Sequence, residues 1–217
     1  MKTKLIVLAL CSALSFNAAS AESSGSIGLG YASDFYFRGA ELSAEAAQLT
    51  LGAETNLGSV NLEAGVFSNQ ATGDNANANV LDIGVSRTFA DDLLNVYGGL
   101  KNIDVEGTDS RLDAVVSVGL STVLSPTLTV ARDTDDDLWT YELGVSHTFA
   151  TDVADIKLCG LVGSTDLTRS TERDYVGAGL TVSKTIGNVE PYAGIKIVKP
   201  EGADRDTIVG AGVTFNF

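Results

Sequence analysis

The chain has 217 residues, of which 14 are lysine or arginine and 28 are aspartate or glutamate, giving a net charge of −14 with 44% hydrophobic residues. This acidity argues against DNA or RNA as a partner, because phosphate binding needs clustered lysine and arginine. One histidine and two cysteines leave little for a zinc site or a Cys–His catalytic pair, so we expect neither a metal nor a cofactor.

The N-terminus has the pattern of a cleaved export signal. Two lysines precede an apolar stretch at 5–16, and Ala19-Ser20-Ala21 follows it. A basic start, a short apolar core and an A-x-A site are typical of a secretory signal peptide. The apolar core is shorter than the roughly 20 residues of a membrane-spanning helix. The sequence therefore predicts a cleaved signal peptide at 1–21 and a single exported domain at 22–217.

The rest of the chain alternates apolar and small polar residues with a period of two, which is typical of strands with two different faces. From Trp139 to Phe149, the odd positions hold Trp, Tyr, Leu, Val, His and Phe, and the even positions hold Thr, Glu, Gly and Ser. The same pattern predicts twelve strands along the chain: 26–38, 46–56, 59–69, 79–89, 93–103, 112–124, 127–133, 138–149, 154–164, 174–186, 189–198 and 206–217.

The connections alternate in length. Tight turns are predicted at 56–58, 90–92, 125–126, 150–152 and 187–188, and longer polar loops at 69–78, 104–111, 165–173 and 199–205. This layout predicts an all-β fold, a transmembrane antiparallel up-and-down β-barrel of about 12 strands with short periplasmic turns and longer extracellular loops. Because the segment 133–138 could extend a strand or form a loop, a ten-strand barrel stays an alternative.

The chemistry of the polar face separates a membrane barrel from a soluble β-sandwich, whose strands would alternate as well. A soluble sandwich should place many charged side chains on the face that meets water. Here that face carries mainly Gly, Ser, Thr, Asn and Ala, including most of the 23 glycines. Small residues suit the crowded inside of a closed barrel, and repeated glycine in strands needs such a reason. The pattern favours an apolar face toward lipid and a small polar face toward a lumen.

A short motif near the start of the predicted barrel resembles a known family. The segment Ser33-Asp34-Phe35-Tyr36-Phe37-Arg38-Gly39 is similar to the S-D-Y-x-F-R-G signature of the TorF family of porins, also called the Gcw_chp family. Phe35 replaces the usual Tyr, and the residues after Gly39 differ from the family's I-S-Q-S. The resemblance rests on Ser33, Asp34, Phe35, Phe37, Arg38 and Gly39, and it implies a barrel in the outer membrane of a Gram-negative bacterium.

The C-terminus also resembles that of outer-membrane barrels. Phe215 and Phe217 end an alternating apolar segment, which is similar to the signal that the barrel-insertion machinery recognises. The partners expected from this location are outer-membrane lipid, lipopolysaccharide and that machinery, together with small solutes or ions.

Charged residues on the small polar face are the candidate functional residues. Asp34 and Arg38 lie four apart on one strand, about 13 Å at 3.3 Å per residue, so direct pairing is not expected and each should meet charges on neighbouring strands. If the lumen is open, six acidic and four basic residues would favour cations weakly, whereas an internal salt-bridge network would plug it. The predicted lumen charges are Asp34, Arg38, Glu54, Glu63, Asp82, Lys101, Glu142, Lys157, Glu190 and Lys196.

The predicted function is passive diffusion of small hydrophilic solutes or ions through a narrow lumen, and a closed structural or adhesive barrel is the alternative. A lipid-modifying enzyme would need Ser146 and His147 to cooperate, but adjacent residues on a strand point to opposite faces, so we expect no catalytic residues. The aspartates at 133 and 135–137 lack the glycine and closing glutamate of a calcium loop, which favours a solvated acidic loop.

Overall fold

The computed structural model describes residues 23–72 and 76–217, so the predicted signal peptide at 1–21 lies outside the described residues. Twelve strands form in the described ranges, and no helix does. The twelve-strand prediction is confirmed, and the ten-strand alternative is wrong. The strands are β1 (Ser23–Phe37), β2 (Ala40–Asn56), β3 (Asn61–Ala71), β4 (Ala78–Phe89), β5 (Leu94–Val105), β6 (Arg111–Leu120), β7 (Thr127–Asp133), β8 (Trp139–Ala150), β9 (Asp155–Thr168), β10 (Thr171–Ser183), β11 (Val189–Pro200) and β12 (Asp206–Asn216).

The strands form one closed antiparallel barrel in chain order, and β1 pairs with β12 to close it. This seam runs from Ser26 opposite Asn216 to Ala32 opposite Gly210. Two backbone hydrogen bonds between Gly25 and Phe217, of 2.8 and 2.9 Å, extend this seam toward the C-terminal residue. The rim that holds these terminal residues is called the lower rim, and the rim that holds the β1–β2 turn is called the upper rim.

The outer surface of the barrel is apolar over most of its circumference. Alternate residues on each strand are large, hydrophobic and exposed, as the period-two pattern predicts. Soluble monomers rarely expose contiguous apolar patches larger than a few hundred Å², so this surface favours a membrane-facing role. The exposed residues include Leu29, Ile83, Val85, Val116, Leu128, Leu143, Val162, Val176, Ile195 and Val209. Within the described residues, no helix has the length and hydropathy to cross a membrane.

Aromatic residues lie near both ends of the apolar band. Toward the upper rim, the rings of Trp139 and Tyr141 are stacked with centroids 6.1 Å apart, and the Arg132 guanidinium lies 5.5 Å from the centre of the Trp139 ring. Toward the lower rim, the His147 ring meets the Phe149 ring edge-on at 4.3 Å. Rings with one polar edge collect at the two interfaces of a bilayer, so these positions outline the membrane-facing zone.

The strands at the upper rim extend further than the sequence indicates, which shortens the predicted loops. β2 begins at Ala40. β9 ends at Thr168 and β10 begins at Thr171, so the turn between them has only two residues. The segment 165–173 is mainly polar and lacks the alternation with apolar residues, so its sequence predicts a loop. Above the band both faces of a strand meet water, so a polar segment still completes its backbone hydrogen bonds by pairing.

Because the strand ladder is closed, we expect the folded barrel to resist unfolding by SDS. We expect the folded protein to keep its structure in SDS at room temperature and to migrate faster than the boiled protein, because a closed barrel has no free strand edge where unfolding could start. Gel mobility of the purified protein before and after boiling is the measurement. Identical mobility in both lanes would contradict a membrane barrel and favour a soluble β-sandwich.

Candidate functional site: the barrel lumen

The pairing register defines the inner face, because directly opposite residues on neighbouring strands share a face. One row runs across five strands from Gly52 through Gly65, Asp82 and Lys101 to Asp113. The same register places eight of the predicted lumen charges on this inner face: Glu54, Glu63, Asp82, Lys101, Glu142, Lys157, Glu190 and Lys196. Whether these charges line a water-filled pore or act as internal salt bridges stays a prediction.

Tyrosine rings lie across inner-face glycines on neighbouring strands. A Cβ at Gly84 would lie 2.5 Å from the Tyr97 ring, and one at Gly212 would lie 2.5 Å from the Tyr192 hydroxyl. Tyr175 covers Gly163 in the same way and donates a 2.6 Å hydrogen bond to Oε1 of Glu142. The glycines therefore supply room for large rings in a narrow lumen. The sequence indicated the glycines, but it did not indicate which side chains use the space.

A charged cluster lies in the upper half of the lumen. Asp113 on β6 is completely buried, and its two carboxylate oxygens each lie 2.6 Å from an arginine nitrogen, Nη1 of Arg38 and Nε of Arg111. Arg111 Nε also lies 3.2 Å from Oδ2 of Asp133. Two aspartates and two arginines thus neutralise one another. This arrangement satisfies charges that would be costly to bury alone.

Sequence reasoning missed Arg111, Asp113 and Asp133 as inner-face charges. Position 113 has the same parity as Gly119, an inner-face glycine on the same strand, so period-two counting could have found it. Asp133 and Arg111 are the terminal residues of β7 and β6, where the alternation gives the weakest signal. Asp133 is therefore part of the lumen cluster and does not belong to a purely solvated loop.

Arg38 reaches this cluster from a hairpin that leaves the barrel wall. The ladder between β1 and β12 ends at Ala32, and the described ladder between β2 and β3 ends at Ala46. Residues 33–45, here called the mouth hairpin, pair only with each other beyond these points, and the register shifts between Phe35 and Tyr36. The prediction that Arg38 meets a charge on a neighbouring strand is wrong, because the hairpin carries it across the lumen to β6.

The other residues of the family-like motif lie in the mouth hairpin as well. Asp34 accepts a 2.7 Å hydrogen bond from Ser33 Oγ, which itself accepts a 3.0 Å bond from the backbone N–H of Val209. The Phe35 ring lies 5.0 Å from the Phe67 ring on β3. Gly39 is buried against Tyr175, where a Cβ would lie 2.9 Å from the ring. The motif thus forms the part of the chain that folds over the upper mouth.

Two of the cavities in the described part of the lumen lie below the mouth hairpin. One has a volume of about 270 Å³ and extends from Asp34 and Gln48 to Tyr192, and the other, of about 380 Å³, reaches down to Lys157. Lys196 and Cys159 line both cavities. Among the described residues, neither Lys157 nor Lys196 lies within 4.0 Å of a carboxylate oxygen. Ammonium groups that form no salt bridge within the described residues therefore face these cavities.

Ser146 and His147 lie on opposite faces of β8, as the alternation predicts. Ser146 is paired with Cys159 on the inner face, and the Nδ1 atom of His147 lies 2.6 Å from the carbonyl oxygen of Val123 near the lower rim. The two side chains therefore do not form a nucleophile–base pair. Within 23–72 and 76–217, no group of three or more His, Cys, Asp or Glu side chains has an arrangement that could hold a metal ion.

Phe215 and Phe217 lie at the seam that closes the barrel. Both side chains are exposed, and Phe215 is paired with Ile27 on β1 and Val189 on β11. The Phe217 ring covers Gly25, where a Cβ would lie 2.5 Å from the ring. The role of these two residues as an insertion signal stays a prediction.

Solved structures of small outer-membrane channels have the same fold. The chain is similar to the KdgM porin at 13% identity and a TM-score of 0.62, covering 88% of this chain and 99% of that one. It is similar to the NanC porin at 10% identity and a TM-score of 0.59, covering 87% and 98%. It is also similar to the COG4313 outer membrane channel from Pseudomonas putida F1, at 8% identity and a TM-score of 0.56, covering 90% and 95%.

No family model and no curated protein matches the chain. The resemblance of the Ser33–Gly39 motif to the TorF family is therefore not confirmed. At these identities the structural likeness shows the fold alone, which is the outer-membrane β-barrel fold of bacterial porins.

Glycine positions on β5 allow the packing of the lumen to be tested with a matched pair. A Cβ at Gly99 would lie 2.6 Å from the carbonyl oxygen of Ile83 and 2.8 Å from Cζ of Tyr97, whereas nothing lies within 4 Å at Gly98 on the outer face. We expect Gly99→Ala to lower the free energy of unfolding by about 1–3 kcal/mol through overpacking. Gly98→Ala is the control, with an expected change within about 0.5 kcal/mol.

Urea unfolding in lipid vesicles, followed by fluorescence of the single tryptophan, Trp139, measures both variants. Equal stability of the two variants would contradict the view that inner-face glycines make room for tyrosine rings.

Proposed function

We propose that the protein is a small outer-membrane channel that allows passive diffusion of small hydrophilic solutes or ions through a narrow lumen. The observation that carries this proposal is the lumen below the mouth hairpin, where cavities of about 270 and 380 Å³ are both lined by Cys159, Thr181 and Lys196. A barrel with only a structural role has no need of such cavities, because filling them with side chains would stabilise it. The protein has no catalytic role in this proposal.

The lumen charges favour small cations over anions. Arg38 and Arg111 are neutralised by Asp113 and Asp133. Within the described ranges, the remaining inner-facing charges form no salt bridge, and the acidic ones outnumber the basic ones. Their excess lowers the free energy of a cation in a confined lumen. Among the predicted lumen residues, the unpaired acidic side chains are Asp34, Glu54, Glu63, Asp82, Glu142 and Glu190, and the unpaired basic side chains are Lys101, Lys157 and Lys196.

The solute of a structural neighbour does not transfer to this chain. One solved structure is a KdgM porin in complex with a disordered oligogalacturonate. A chain of uronates carries one carboxylate per sugar, and these carboxylates would meet a lumen in which acidic residues predominate. The present proposal therefore names small hydrophilic solutes and cations, and it does not include acidic oligosaccharides.

We also propose that the barrel is inserted through its C-terminal strand and then contacts lipid and lipopolysaccharide. Phe215 and Phe217 end β12 beside the seam, where a recognition signal would remain accessible until β1 and β12 pair. Arginines in the upper connections, such as Arg169 and Arg205, would face the phosphates of lipopolysaccharide.

A closed structural barrel is the second candidate, and the mouth hairpin is the observation that favours it. Arg38 pairs with Asp113 on β6, and Tyr36 donates a hydrogen bond to Asp206 on β12, so the hairpin is attached to the wall on two different strands above the cavities. If the hairpin stays in place in the membrane, solutes would meet a narrow passage or none.

Planar-bilayer recordings distinguish the two candidates. We expect discrete conductance steps whose reversal potential in a salt gradient shows a mild preference for cations, because the unpaired lumen charges are mainly acidic. The double variant Glu54→Gln/Glu63→Gln should shift the reversal potential toward zero. Glu201→Gln, in the exposed β11–β12 connection, is the control and should leave it unchanged. Silence at all voltages and salt concentrations would contradict the channel and favour the closed barrel.

A further inference from the structure

The mouth hairpin extends beyond the ladders that join its two strands to β12 and β3. Above Ala32 and Ala46 it has no ladder to either neighbouring strand among the described residues. Its remaining backbone links to the wall are single hydrogen bonds, such as Val209 N–H to Ser33 Oγ and Thr72 N–H to the carbonyl of Glu45. Glu45 has a positive φ of 39°, which marks the bend where the hairpin turns away from the wall.

The turn at the tip has an unusual residue for its geometry. A two-residue hairpin turn in which both residues have positive φ is normally formed by Asn-Gly or Asp-Gly. Here the pair is Arg38, with φ of 51°, and Gly39, with φ of 72°. A residue with a Cβ is disfavoured in this region, because its Cβ comes too close to the following carbonyl oxygen. The arginine therefore needs a compensating interaction, and its salt bridge supplies one.

That interaction crosses the lumen. Arg38 Nη1 lies 2.6 Å from Oδ2 of Asp113, and the side chains are 9% and 0% exposed. The geometry is that of an ion pair and not of a well-aligned hydrogen bond, since both atoms lack a hydrogen-bond partner. Asp113 also contacts Arg111, so its carboxylate keeps one cationic partner when Arg38 is absent.

The other contacts of the hairpin with the wall are made by side chains. The Phe35 ring contacts Phe67, the Tyr36 hydroxyl bonds to Asp206, and Gly39 packs against Tyr175. Each of these contacts can be broken without breaking a strand pairing of the barrel. A segment with few backbone hydrogen bonds to the rest of the fold belongs to the part of a protein that opens at low free-energy cost.

We infer that the mouth hairpin is a displaceable flap over the upper mouth, held in place by the Arg38–Asp113 ion pair. This inference rests on the proposed channel function for its consequence, because displacement of the flap would widen the route from the cavities to the upper rim. The bend at Ser33 and Glu45 is the hinge, and Arg38 acts as the latch.

Proteolysis at Arg38 tests displacement without relying on conductance. Trypsin cleaves after arginine only where the chain can leave its fold, and the rate follows the population of the open state. In protein reconstituted into vesicles, we expect Asp113→Asn to increase cleavage between Arg38 and Gly39 about tenfold, because loss of a buried ion pair shifts a two-state equilibrium by at least that much. Mass spectrometry of the fragments identifies the cleavage site.

Two controls separate release of the flap from general loosening. Asp137→Asn removes the partner of Arg132, a pair outside the lumen with N–O distance 2.5 Å, and it should leave cleavage at Arg38 unchanged. Cleavage after Arg169, in the β9–β10 turn, should proceed at the same rate in all variants. Unchanged cleavage at Arg38 in Asp113→Asn, or an equal increase at Arg169, would overturn the inference.

Conductance tests the consequence with a second variant. Arg38→Gln removes the charge and keeps an unbranched polar side chain, and we expect larger single-channel steps than in the native protein, whereas Arg132→Gln should show native steps. Larger steps in Arg38→Gln support the flap, and native steps in a conducting channel overturn it. If all variants are silent while Arg38 becomes cleavable in Asp113→Asn, the channel proposal is overturned and the displaceable flap is supported.

Discussion

Closure of the strand ladder is the constraint on which the rest of the structure depends. In a bilayer every backbone N–H and C=O must find a partner within the protein, so a sheet can span it only when its first and last strands pair. The seam from Ser26 to Ala32, extended by the bonds between Gly25 and Phe217, meets this requirement. Closure also divides each strand into an outer and an inner face, and it leaves the inner face little room. The glycines beneath Tyr97, Tyr175 and Tyr192 follow from that lack of room.

Period-two alternation was enough to predict most of the fold and part of the lumen. Because closure fixes the parity of every strand, finding inner-face glycines such as Gly84 and Gly144 also assigns Asp82 and Glu142 to the inside. Asp113 has the same parity as the inner-face residue Gly119, so the same rule assigns Asp113 to the inside as well. Strand number, order and the apolar band could therefore be predicted from sequence, since each depends only on local pattern and on the rules for spanning a bilayer.

The upper mouth could not be predicted, because it depends on interactions between residues far apart in the chain. Nothing near Arg38 indicates that its partner is Asp113 on the opposite wall. The extended strands at 165–173 were also missed, since polar composition resembles a loop whenever both faces meet water. Alternation continues from Ile27 to Arg38, so nothing in this pattern indicates that pairing with β12 stops at Ala32. The mouth hairpin leaves the wall where its pairing with β12 and β3 ends, and this end point depends on residues far away in the sequence.

The unpaired charge in the lumen differs from the sum of the lumen charges predicted from sequence, because some of these charges form ion pairs. Six acidic and four basic predicted lumen residues suggest a weak preference for cations. Of the basic residues, Arg38 forms an ion pair with Asp113 at the mouth, so its charge is neutralised. Arg111 and Asp133 complete that cluster, and its charges cancel. Arginine suits such buried pairs because its guanidinium is planar and weakly hydrated, whereas the lysines at 157 and 196 remain in the open cavities. Pairing at the mouth thus removes one cation from the predicted lumen and strengthens the acidic excess deeper in the barrel.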